Sequence, residues 1–166
     1  MLSLLHIENI AVIERADIEF EKGLTVLSGE TGAGKSIIID SVGAILGRRT
    51  SRDLVRAGAS KGFVSAIFTE LPPELTEKLQ EYGLDGEEAD SVHIQRQLSA
   101  DGKTVCRVNM KPVSVSVLRE LSPYLINIHG QHDGQKLMED DAHIEFLDCF
   151  ADIAPILAEY QPFYHK

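Results

Sequence analysis

The sequence is poor in cysteine, in basic residues and in long apolar runs, and each shortage excludes something. Cys106 and Cys149 are the two cysteines in 166 residues. They form neither a CxxC pair nor a dense framework. That excludes a disulfide-stapled scaffold and fits a reducing, cytoplasmic setting. No apolar stretch approaches the roughly 20 residues needed to span a bilayer, so no membrane partner is expected. The N-terminus, Met1 to Glu8, lacks the basic start of a signal peptide. Lys and Arg number 16 against 26 Asp and Glu, a formal net charge of −10. Phosphate neutralisation relies on Lys and Arg, so a chain this acidic does not wrap nucleic acid with its whole surface. Contact with DNA must come from a local patch or from another part of the protein.

Several motifs of nucleotide hydrolases are also missing. A P-loop hydrolase needs an acid at the end of a second buried strand to hold Mg²⁺. The run Ala66-Ile67-Phe68-Thr69-Glu70 comes nearest, but Thr69 and the following Leu71-Pro72-Pro73 spoil it. There is no Asn-Lys-x-Asp motif for reading guanine and no LSGGQ-like signature.

What is present is a globular composition, 43% hydrophobic, with enough length for one core. Alternation predicts strands over Leu2–Ile7, Ala11–Phe20 and Gly62–Thr69, and a hairpin of Val92–Leu98 with Thr104–Asn109. Short apolar runs predict buried strands at Leu24–Leu27 and Tyr124–Ile128. Helices are predicted over Lys35–Leu46, Pro73–Tyr82, Val113–Leu121, Asp141–Phe150 and Ile153–Tyr160. The last pattern runs toward Lys166 without a cap, so the chain is expected to continue beyond it.

The clearest chemistry lies at Gly29-Glu30-Thr31-Gly32-Ala33-Gly34-Lys35-Ser36, which matches GxxxxGK[ST] at every fixed position. Glycines let the backbone curl until successive N–H groups point at phosphate oxygens. Lys35 neutralises the outer phosphates, and Ser36 offers a hydroxyl to Mg²⁺. With Ile37, the loop opens a helix whose positive pole favours the same anion. The predicted strand before the loop and helix after it are the context the motif requires. Nucleotide binding without a hydrolytic acid points to half of a split site, the rest coming from later sequence or another chain.

Two further clusters stand out. Arg48, Arg49, Arg52, Arg56 and Lys61 form the one basic cluster of an acidic chain. A solvated loop is the plain interpretation; contact of Arg56 with phosphate, DNA or a partner is the sharper one. Gln131 follows a predicted strand and Gly130, beside His129 and His132. By itself it is a polar loop residue beside a glycine. The histidines lack a second ligand pair at zinc spacing.

Four stretches together resemble the N-terminal part of the RecN family of SMC-like ATPases. They are Leu4–Ile13, Phe20–Leu27, the P-loop with its Glu30-Thr31, and Ile126-Asn-Ile-His-Gly-Gln-His132. The resemblance implies an α/β fold, the N-terminal lobe of a P-loop NTPase head of ABC/SMC type. Its sheet is mixed, with an antiparallel β subdomain and flanking helices. It implies a lobe over residues 1–150 and the helical start of a coiled-coil arm over 151–166. It implies ATP and Mg²⁺ as cofactors, with Lys35 and Gln131 as catalytic residues and Ser36 and Gln131 near the metal. The implied partners are the C-terminal half of the same head, carrying the Mg²⁺-holding acid and the signature, a second head in an ATP-dependent homodimer, and DNA. The implied role is repair of double-strand breaks by recombination, in the cytoplasm at the nucleoid. On that basis this stretch binds ATP and hydrolyses it only with the C-terminal half. A self-contained P-loop kinase, with Arg48, Arg49 and Arg52 as lid arginines, and a non-catalytic nucleotide-binding interaction module are the alternatives.

Overall fold

The structure, a computed structural model, describes residues 1–29, 34–86, 88, 90–128 and 156. The chain divides into two compact units, Met1–Asn127 and Ile128–Lys166. All the elements named below belong to the first. The expected helices Asp141–Phe150 and Ile153–Tyr160 and the expected boundary at residue 150 lie outside the described residues, apart from the helical Ile156.

Among the described residues six strands form one sheet: β1 (Leu2–Ile10), β2 (Ile13–Glu19), β3 (Lys61–Thr69), β4 (Ser91–Ser99), β5 (Thr104–Val108) and β6 (Lys111–Val113). Their order is β2-β1-β3-β4-β5-β6, and every pairing is antiparallel. Period-2 alternation fixes the register, because a slip by one residue would turn the apolar set to solvent. Leu5 and Ile7 of β1, Val64, Ala66 and Phe68 of β3, and Val92, Ile94 and Leu98 of β4 are all buried. Both edges are guarded. Edge strand β2 carries the charged run Glu14, Arg15, Asp17 and Glu19, and β6 is three residues long and contains Pro112.

The helix α1 (Lys35–Ile45) packs on β1, β3 and β4. It is buried through Ser41–Ile45, whereas Ser36, Ile39 and Asp40 are exposed. The helices α2 (Pro73–Glu81) and α3 (Val115–Leu125) pack on each other. Leu75 and Leu79 of α2 and Leu118 and Leu121 of α3 are their buried residues, at the i, i+3/i+4 spacing of one helix face.

Two expected strands are absent. Leu24–Leu27 has no regular structure, and Leu24 and Val26 are 90% and 73% exposed. A buried strand needs neighbours to take its N–H and C=O groups, and among the described residues no strand pairs with this run. Tyr124 and Leu125 belong to α3, not to a strand, and Ile126, the residue that caps the helix, has an extended backbone. Short apolar runs do not distinguish helix from strand by periodicity. Here Leu118, Leu121 and Leu125 continue a helical stripe, while Pro123 lies on the exposed side. The start of α3 also differs from expectation. Val113 ends β6, and the Ser114 hydroxyl caps the helix by accepting from the Val117 N–H.

Candidate functional site: the P-loop and the end of its helix

Of the P-loop residues, Gly29, Gly34, Lys35, Ser36 and Ile37 are described; Glu30, Thr31, Gly32 and Ala33 lie outside the described residues. Gly29 and Gly34 adopt φ of 154° and 139°, a region that side-chain-bearing residues rarely enter. A Cβ on either would meet no atom within 4 Å, so each faces open space. The Lys35 ammonium donates to the Gly29 carbonyl.

Gly34 is the N-cap of α1, without a side-chain cap, and the first turn holds no acidic residue. The first helical bond runs from the Ile38 N–H to the Gly34 carbonyl at 3.0 Å. The N–H groups of Lys35, Ser36 and Ile37 therefore have no partner within the helix. Uncapped donors, a positive helix pole, a lysine and an exposed serine hydroxyl make a cradle for an anionic oxygen cluster. The described residues thus fit a nucleoside triphosphate with a divalent cation near Ser36.

The opposite end of α1 is fastened by two arginines that sequence reasoning missed. Arg96 is 3% exposed and occupies an inward position of β4, in line with Val92, Ile94 and Leu98. Its Nη1 donates to the carbonyls of Ala44 and Arg48, both at 2.8 Å. Its Nε donates to Thr104 Oγ1 at 3.1 Å, and its Nη2 lies 3.5 Å from Thr50 Oγ1. Burial pushes the guanidinium below its ordinary value; Cys106 opposes that shift and Arg119 adds to it. Arg119 Nε donates to the Gly47 carbonyl at 2.8 Å.

The basic cluster separates into different environments. Arg49 and Arg52 join Arg96, Lys103 and Arg119 around a cleft of about 320 Å³ that, among the described residues, no carboxylate lines, although Lys103 is itself ion-paired with Asp101 at 3.0 Å. Arg56 instead turns to the β1–β2 connection. Its Nη1 donates to the Val12 carbonyl at 2.6 Å, and its Nη2 lies 4.0 Å from Glu14. Glu70, the nearest approach to a metal-holding acid in the sequence, is exposed and ion-paired with Lys22, which holds its carboxyl below the usual range. Gln131, His129 and His132 lie outside the described residues.

Comparison with known proteins places this geometry. The AAA domain family matches residues 4–148. DNA repair protein RecN of Bacillus subtilis is 44% identical over 169 residues, covering 100% of this chain and 29% of that protein. RecN of Haemophilus influenzae is 37% identical over 166 residues, covering 99% and 30%. The chain thus spans less than a third of the length of these curated relatives. Among solved structures, the Smc head domain with a coiled coil and joint from Pyrococcus yayanosii superposes with a TM-score of 0.67 at 22% identity, over 97% of this chain and 34% of that one. The recombination mediator protein RecF bound to ATP gives 0.61 at 15% identity, over 90% and 38%. The fold is that of the P-loop ATPase heads of the ABC/SMC type. The chain belongs to the AAA domain family, and it corresponds along its length to the N-terminal part of the RecN proteins.

Proposed function

We propose that this chain is the ATP-binding N-terminal part of a RecN-like ATPase head that serves DNA double-strand break repair by recombination. The observation that carries the reading is a P-loop cradle whose preceding apolar run is left bare. Leu24, Val26 and Leu27 stand exposed immediately before Gly29, and among the described residues the acid that follows a buried strand, Glu70 after β3, is exposed and ion-paired with Lys22. A C-terminal half of the same head would supply both things: a neighbouring strand to cover this run, and the acid and signature for hydrolysis.

Within that reading, the N–H groups around Gly29–Ile37 and the Lys35 ammonium hold the phosphates of ATP. Ser36 and Gln131 serve Mg²⁺, and Gln131 also orients water. Two such heads close on ATP as a homodimer. The residues after 150 begin a coiled-coil arm, and the protein works in the cytoplasm at the nucleoid. The cleft among Arg49, Arg52, Lys103 and Arg119 takes DNA phosphates, which reconciles DNA binding with an acidic chain by confining it to one patch. Arg56, 36% exposed, contributes a phosphate, DNA or partner contact from the neighbouring turn.

The test is turnover. The chain alone should bind Mg·ATP without hydrolysing it above the Lys35→Ala background. Adding the C-terminal part of the intact protein should bring hydrolysis. Lys35-dependent turnover by the chain alone would overturn the split-head reading.

A further inference from the structure

We infer that Arg96 is a positioning residue for the nucleotide site: from the inward face of β4 it fixes the C-terminal end of α1, and thereby where the phosphate-binding N-terminus of that helix points. The inference rests on the reading of Gly29–Ser36 as a phosphate cradle.

The place of Arg96 needs an explanation that packing does not give. Its strand neighbours on the same face are Val92, Ile94 and Leu98, all buried, so an apolar residue would satisfy the pattern. A guanidinium there must be stripped of water, a large cost unless hydrogen bonds and favourable charge replace the solvent. All four of its polar partners are neutral oxygens. Two of them, the Ala44 and Arg48 carbonyls, belong to the end of α1 and the residues leaving it, where the helix pole is negative. The helix has no basic residue of its own in its last turn. Arg96 supplies that cation from another element and holds two carbonyls in one fixed geometry, which a planar, forked donor can do.

The helix is buried most deeply in its second half, with Ile37 and Ile38 only half-buried ahead of it. Ser41–Ile45 are buried, but Ser36, Ile39 and Asp40 near the P-loop are exposed. Its orientation is therefore set at the buried end, about 16 Å from the phosphate-binding turn for 11 residues. Over that length a tilt of about 4° displaces the first turn by about 1 Å. Displacements of that size matter for oriented donors. Arg119 on Gly47 supports the same end from α3.

The experiment measures Mg·ATP affinity and thermal unfolding of the intact protein for wild type, Arg96→Met, Arg96→Lys, Leu75→Ala and Lys35→Ala. Leu75 is fully buried in α2 and serves as a destabilised control away from α1. Arg96→Met should weaken affinity about tenfold in the folded protein, with Arg96→Lys between it and wild type, because an ammonium is a point donor. Leu75→Ala should lower the unfolding temperature as much yet stay within about twofold of wild-type affinity. Wild-type affinity in folded Arg96→Met overturns the inference, and so does an equal loss in Leu75→Ala. If Arg96→Met does not fold, Arg96→Lys decides by the same comparison: weakened binding supports the inference and unchanged binding overturns it. Failure of Lys35→Ala to weaken binding would instead reject the P-loop reading on which the inference rests.

Discussion

Gly47 and Val115 meet so closely that a Cβ on Gly47 would lie 3.0 Å from the Val115 carbonyl oxygen, and 2.9 Å from the Arg119 Cγ. Gly47 also has φ of 78°, the left-handed conformation that ends helices. The first turn of α3 therefore sits directly on the end of the P-loop helix, with room for hydrogen alone. Gly47→Ala should destabilise the chain by about 2 kcal/mol or more, from left-handed strain plus the clash with backbone. Urea unfolding measures it; a change under about 0.5 kcal/mol would mean that this contact is looser than described.

The tip of the β5–β6 hairpin holds the opposite opportunity. Asn109 and Met110 form a two-residue turn with φ of 47° and 66°, the form that favours Asn-Gly. Asn109 is committed, since it accepts from the His93 N–H and donates to the Leu84 carbonyl. Met110 is 66% exposed, so little packing is lost if its side chain is removed. Met110→Gly should stabilise the chain by about 0.5–1 kcal/mol, read as a higher unfolding midpoint.

Burial lowers the pKa of His93 from its ordinary value. The folded state therefore binds this proton less readily than the unfolded chain. The sign follows: the His93 contribution is fully present above about pH 6.5, the unfolded value, and is lost as the pH falls through the folded value. His93→Gln should reduce the fall in unfolding temperature on acidification between neutral pH and the folded His93 value. An unchanged pH profile in that variant would show that the imidazole is as free to titrate in the fold as outside it.

The exposed run before the P-loop separates stability from assembly. Val26 is 73% exposed, so Val26→Asp should leave the chain's own unfolding within about 0.5 kcal/mol. If the C-terminal half of the head covers this run, the same change should abolish its association, seen by co-purification. Full association of the variant would remove this face from the proposed interface.

How far the sequence alone reaches can be judged from particular residues. The helix opening at Lys35 was legible because the pattern Gly29, Gly34, Lys35 and Ser36, which phosphate binding demands at fixed spacing, calls for a helix there. The strands β1, β3 and β4 were legible because one buried face imposes alternation. Leu24–Leu27 misled because an apolar run states what it would bury against only when its partner is present. Tyr124–Ile128 misled because five residues do not separate the two periods. The strand β6 escaped notice because three residues with a central proline carry almost no pattern. Arg96 was missed although its signal was there: Val92, Ile94 and Leu98 place residue 96 inward, and an arginine in that series marks a buried cation that must have partners. Arg119 gave no comparable signal, since it is exposed on α3 and gains its role only from the arrival of Gly47.

The most direct measurement of the central claim is Mg·ATP binding to this chain by calorimetry, with Lys35→Ala as its control. The account predicts saturable binding by the wild type that Lys35→Ala removes or greatly weakens, with both proteins equally folded by circular dichroism. Equal binding by the two proteins, or no binding by a folded wild type, would contradict it.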